Sequence, residues 1–251
     1  MNNNLPKVVL FQDDEVSQVY DFMLPYNLGT NTKIKSIDYD LIDFQNTYTI
    51  IGNKNASTSD VYFLHPYKEN TYVEQSIAEN YLIEEKIALY GEIASLLGAT
   101  KVNSFVKFEE AREYLIDANG NMKYNVIEVD VKYKEQQESK YSKSIEIADT
   151  YIQADNFDLN RNLDHAYALV EKYNLSHEVQ LKSLVEGRDS RRSGMLQKTK
   201  RIKTELTSEI NSLYEASVKI NSPIFTVNAN LKESMKKVSR LSVELEFIFD
   251  E

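Results

Sequence analysis

The chain lacks cysteine and tryptophan entirely, and it has only seven glycines and four prolines in 251 residues. Without cysteine there is no disulfide scaffold, no thiolate metal site and no thiol nucleophile. So little glycine and proline excludes collagen-like and low-complexity chains, and an apolar share of 42% is too high for wholesale disorder. Positive charge is also short. Lys and Arg number 29 against 39 Asp and Glu, a net charge of −10. That balance argues against general nucleic-acid binding, which requires a cationic surplus facing the phosphates. Long apolar runs are missing too. Val8 to Phe11 is four residues, far below the roughly 18–20 that a spanning helix needs, and too short for a signal-peptide core. The expectation is a soluble, cytoplasmic protein without a membrane segment. Abundant Asn, Lys, Ile and Tyr suggest a bacterial source.

Familiar catalytic devices are missing as well. There is no G-x-S-x-G, no Walker A loop and no G-x-G-x-x-G. The three histidines, His65, His165 and His177, show no metal spacing and read as capping or surface residues. These absences lean against an enzyme.

What is present is an uneven charge. Residues 1–150 hold 14 positive and 24 negative side chains, whereas residues 151–251 hold 15 of each. Lys182 to Lys203 alone carries eight positive and two negative residues. An acidic front and a basic late segment can attract one another, within a molecule or between copies.

Hydrophobic periodicity predicts the elements. Lys7–Phe11, Thr47–Gly52 and Asp60–His65 read as strands, and Val16–Leu24 as a helix stopped by Pro25. Residues 1–70 therefore form a small α/β unit. Tyr72–Leu97 reads as a long helix, with Thr71 and Glu74 as a capping box and Gly98 as C-terminal cap. An antiparallel meander follows through Lys101–Phe108, Glu113–Ala118, Tyr124–Lys134 and Tyr141–Tyr151, with a tight turn at Asn119-Gly120. Residues 71–155 thus form a helix plus a meander. Residues 156–251 read as helical, with N-caps at Asp158 or Asn162 and at Ser176. They include a long amphipathic helix over Leu196–Ile220, broken at Ser222-Pro223. Ile224–Ala229 and Leu241–Phe249 read as closing strands. The fold class is α+β: an antiparallel sheet covered by helices, a small N-terminal α/β unit, and a helical segment returning a last strand to the sheet. All three parts fit within one domain.

Two polar segments carry the candidate chemistry. Asp13-Asp14-Glu15 follows the first strand, where carboxylates are able to hold Mg²⁺. KVVLFQDDE resembles the first strand and acidic pair of phosphoacceptor receiver domains over about nine residues. A receiver also needs an Asp after its third strand, where this chain has Asn53, so membership of that family is rejected. The second segment is Gly187–Gly194, with Arg188, Arg191 and Arg192, extended by Lys198 and Arg201. Clustered arginines form bidentate pairs with phosphate or carboxylate.

The reading favoured is a cytoplasmic binding or assembly module with no cofactor. It self-associates through the seam Ile202, Leu206, Ile210 and Leu213, and recognises an anionic ligand, an acidic partner or a phosphorylated small molecule through the arginine loop. An alternative is a metal-assisted phosphoryl or phosphodiester enzyme with Mg²⁺ on Asp13 and Asp14. A second alternative, resting on the amphipathic strands and helices, is a pore-forming effector.

Overall fold

A computed structural model describes residues 5–23, 31–116, 122–145, 148–152, 154–192, 194–217 and 229–249. The class is α+β. A mixed N-terminal sheet and an antiparallel half-barrel sheet are accompanied by eight helices among the described residues. The chain divides into two compact units, 1–82 with 111–127 and 208–238, and 83–110 with 128–207 and 239–251.

The first unit is built on a five-stranded sheet. Its strands are β1 (Val8–Gln12), β2 (Thr32–Ser36), β3 (Thr49–Ile51), β4 (Val61–Leu64) and β5 (Thr71–Glu74), in the order β2-β1-β4-β5-β3. β1 pairs in parallel with β2 and antiparallel with β4. The apolar run of β1 is continuous because both of its faces are buried. Val8 and Leu10 join Val61, Phe63 and Val73 on one face. Val9 and Phe11 join Tyr62 and Tyr72 on the other.

Helix α2 (Leu41–Thr47) closes the second face with Phe44. Its ring meets Phe11 at 5.3 Å and Tyr72 at 5.0 Å, in edge and tilted geometries. Helices α7 (Ser208–Ser217) and α8 (Ala229–Lys236) cover the first face with Ile210, Leu213, Tyr214, Leu231 and Met235. Helix α1 (Asp14–Met23) links β1 to β2.

The second unit carries the antiparallel sheet. β8 (Ala148–Thr150) pairs with the start of β6 (Lys101–Ile116), β6 neighbours β10 (Lys237–Ile248), and β10 pairs with β9 (Thr199–Glu205). In the first unit, the far end of β6 pairs with β7 (Met122–Ile127). Helices α4 (Val131–Ile145), α5 (Leu159–Lys172) and α6 (Val179–Gly187) belong to the second unit, and of α3 (Gln75–Leu96) residues 75–82 count to the first unit and 83–96 to the second. The side chain of Asp158 caps α5 by accepting from the N–H groups of Asn160 and Arg161. Glu178, rather than Ser176, is the N-cap of α6.

Several sequence expectations require correction. Residues 196–220 are not one helix: 199–205 form β9, and α7 begins at Ser208. Ile202 and Leu206 lie 1% exposed in the second unit, and Ile210 and Leu213 lie 2% and 6% exposed in the first. The seam is therefore split between two cores: Ile202 lies on a strand and Leu206 just beyond it, while Ile210 and Leu213 lie on the buried face of α7. The apolar spacing was ambiguous because a strand end followed by a helix mimics a stretch of helical period.

Residues 131–145 form α4, not a strand. Thr71 and Glu74 belong to β5, so they form no capping box. The Thr71 hydroxyl donates to the carbonyl of Glu69, and the Glu74 carboxylate accepts from the Asn53 N–H. Strand β2 has one apolar residue, and helix α2, at seven residues, is too short for a helical period to show. Asn119-Gly120, Ser222-Pro223 and most of Ile224–Ala229 lie outside the described residues, as does Pro25.

Candidate functional site

The arginine loop follows α6. Arg188 is 6% exposed. Its guanidinium donates to the carbonyls of Leu97 at 3.2 Å and Gln197 at 2.9 Å, and it lies 4.4 Å from the centre of the Phe249 ring. It pins the end of α6 to the sheet. Arg191 donates to both oxygens of Asp189, at 2.9 and 3.1 Å, and to Asp164 at 2.9 Å. Asp189 is itself buried and also accepts from the Tyr167 hydroxyl. Arg191 holds the Asp189 carboxyl below its ordinary value, chiefly through these hydrogen bonds. Arg192 pairs with Glu186. All three arginines thus have partners within their own unit.

Asp13 and Asp14 stand at the carboxyl end of β1. Asp13 accepts from Thr58 Oγ1 at 2.8 Å, and its carbonyl accepts the Ser17 N–H as α1 begins. Asp14 accepts from Gln18 Nε2 at 2.6 Å, one turn along. Among the described residues, no further His, Asp or Glu joins them in a ligand set for a metal. In the same unit, His65 is buried, and its Nδ1 accepts the N–H groups of Tyr67 and Lys68 at 3.0 and 3.1 Å. It caps the turn between β4 and β5 beside a pocket of about 300 Å³.

The remaining basic residues, Lys198 and Arg201, lie on or next to β9. The register of β9 with β10 assigns each of its backbone groups a direction. The Phe249 N–H donates to the Lys198 carbonyl and the Leu206 N–H to the Leu241 carbonyl. In an antiparallel ladder such mutually bonded pairs recur at every second residue. The N–H and C=O groups of residues 200, 202 and 204 therefore face β10, and those of 199, 201, 203 and 205 face away from it.

Among the described residues, β9 is the last strand of its sheet. Among the described residues, the outward groups of Thr199, Arg201 and Lys203 meet no backbone partner. Glu205 differs. Its outward carbonyl accepts from Lys86 Nζ at 2.7 Å. Lys86 is 1% exposed and is also held by Glu178 at 3.1 Å.

The side chains of β9 alternate as its backbone does. Ile202 and Thr204 are buried on the face covered by α6. That helix runs antiparallel to β9: Glu178 accepts from Thr204, Lys200 donates to Ser183, and the Gly187 carbonyl accepts the Gln197 N–H. Arg201 and Lys203 lie on the opposite, wet face, where Arg201 pairs with Glu246 at 2.7 Å and Lys203 with Glu109 at 2.7 Å. These pairs lower both carboxyl values, with the hydrogen bond from the cation as first cause, and raise that of Lys203. A pocket of about 380 Å³ on this face is lined by Glu109, Lys203, Glu205 and Arg240. Arg240 bridges Glu110 and Glu205 there.

Sequence reasoning located Arg201 and Lys198 but missed the feature that distinguishes them, a strand that ends its sheet among the described residues. The segment TKRIKTE has a single apolar residue, Ile202, so no period within it marked a strand. Lys86 gave no signal, because a lysine inside a helical pattern reads as solvated. No family model matches the chain, and it matches no curated protein and no solved structure.

Proposed function

We propose that this protein is a binding module that takes up an extended, acidic segment of a partner protein along the open side of β9. One observation carries the reading: three consecutive outward residues, Thr199, Arg201 and Lys203, hold N–H and C=O groups without a backbone partner among the described residues. An open strand edge is a template for an added strand, whose main-chain hydrogen bonds supply affinity while side chains supply selectivity. The local charge favours an acidic visitor, since β9 and its flank carry Lys198, Lys200, Arg201 and Lys203. The side chain of Arg201 is 82% exposed and that of Lys203 is 47% exposed. The arginine loop serves this surface indirectly by fixing α6 along the strand.

The test is a proline. The Arg201 N–H points away from β10, so Arg201→Pro removes one outward donor while sparing the β9–β10 ladder, a placement that edge strands tolerate. Arg201→Ala keeps the donor but loses the charge. Binding of fluorescent extended peptides, Glu-rich and Lys-rich, is read by anisotropy. Glu-rich peptides are expected to bind, Arg201→Pro to abolish the binding, and Arg201→Ala only to weaken it. Binding indifferent to the proline would sink the proposal.

A further inference from the structure

Resting on that reading, we infer that the captured segment is about five residues long and alternates acidic with apolar β-branched residues, its acids lying beside Arg201 and Lys203. A strand added beyond β9 continues the pleat, so its side chains alternate between the two faces of the sheet. On the wet face it meets Arg201 and Lys203. Arg201 is bonded to Glu246 and Lys203 to Glu109, and their side chains are still 82% and 47% exposed. Carboxylates directly opposite form charge-assisted bonds there. On the other face the added residues continue the buried row of Ile202 and Thr204 alongside α6, whose Val179 is 76% exposed. Apolar residues are suited to that side, and β-branched ones fit a half-buried strand.

The length follows from Lys86. Its Nζ occupies the outward carbonyl of Glu205, which leaves residues 199–203 for pairing. Displacing Lys86 would strip partners from a charge that is 1% exposed and from Glu178, a costly change in the interior. A second copy of β9 is a poor occupant by the same logic. It would set Arg201 and Lys203 against cations, and like charges directly opposite are destabilising.

The experiment uses the full chain and four labelled peptides with Gly-Ser flanks. The first has the centre Glu-Val-Glu-Val-Glu. The second is its isomer Glu-Glu-Val-Val-Glu, which has the same charge but a broken alternation. The third is Lys-Val-Lys-Val-Lys, and the fourth extends the alternating Glu-Val pattern to nine residues. The alternating acidic peptide is expected to bind at least roughly tenfold more tightly than its isomer, about the effect of losing one good contact. The Lys peptide is expected not to bind, and the nine-residue pattern to gain nothing. Equal binding of the two acidic isomers would overturn this inference while leaving the acidic-edge reading intact. A continued gain with length would overturn the stop at Lys86. Failure of every Glu peptide to bind would overturn both.

Discussion

Lys86 Nζ lies 3.1 Å from Glu178 Oε1, and the lysine side chain is 1% exposed. A third group, the Glu205 carbonyl, completes the arrangement. A charge this deep persists only with partners, so the pair is a constraint on the fold more than a source of net stability. It ties α3, the start of α6 and the end of β9 together within the second unit.

Lys86→Met is therefore expected to destabilise the protein by about 3–5 kcal/mol, because Glu178 loses its cation inside the structure. Lys86→Met combined with Glu178→Gln should cost less than the two single changes added together. Denaturant midpoints of the four proteins measure the coupling, and strict additivity would show that the pair is not coupled.

Arg188 and Arg192 are four residues apart and should behave differently. Arg188→Ala removes one buried and one part-buried hydrogen bond and the contact with Phe249, an expected loss of about 2–4 kcal/mol by analogy with other broken buried networks. Arg192→Ala removes an exposed pair, and about 0–1 kcal/mol is expected. Thermal melts of both variants decide the matter, and equal losses would contradict the burial of Arg188.

Acid should weaken the second unit. The carboxyls of Asp189, Glu109 and Glu246 are held below their ordinary values of 3.8, 4.5 and 4.5 by Arg191, Lys203 and Arg201. A carboxyl depressed in the folded state contributes stability that is complete above its unfolded value and is lost as pH falls through the folded one. The melting temperature should fall as pH drops below about 4.5, and the triple variant Asp189→Asn, Glu109→Gln, Glu246→Gln should show a shallower fall. An unchanged slope would remove these pairs from the account.

Alkali should act on the first unit. Burial pushes the hydroxyls of Tyr62, Tyr72, Tyr124 and Tyr214 well above the ordinary value of 10.0. A value raised on folding gives stability that is present below the unfolded value and is lost as pH rises beyond it. Phenolate absorbance at 295 nm should therefore include a cooperative step above pH 10, coincident with loss of near-ultraviolet dichroism. Smooth titration of every tyrosine without unfolding would contradict the aromatic core around β1 and β4.

Gly52 has φ +100°, and a Cβ there would lie 2.6 Å from Glu74 Oε2. That carboxylate is anchored by the N–H of Asn53 and the hydroxyl of Ser76. Gly52→Ala should cost about 1–3 kcal/mol through left-handed strain and the forced shift of Glu74. A denaturant midpoint equal to that of the parent would show that the turn relaxes freely.

Much of this architecture was legible in local patterns. The buried strand Val8–Gln12, the strands at 49–51 and 61–64, helices α1, α5 and α6, and the final strand were each marked by periodicity, a cap or a breaker within a few residues. The α+β class followed from their order. What local pattern left open was decided by pairing across long separations. Residues 199–205 are a strand because Leu245 and Phe247 lie across from Ile202 and Lys200, and nothing within the segment itself distinguishes that outcome from a helix. Arg188, Arg191 and Arg192 formed a recognisable cluster, yet their partners Leu97, Asp164 and Phe249 are distant in sequence. Only the fold determines whether a cation faces water or a carbonyl. Composition and periodicity determined which residues must be hidden from water, since that depends on side-chain chemistry alone. The tertiary structure decided which strands pair and which charges stand beside them, because those depend on which distant segments happen to meet.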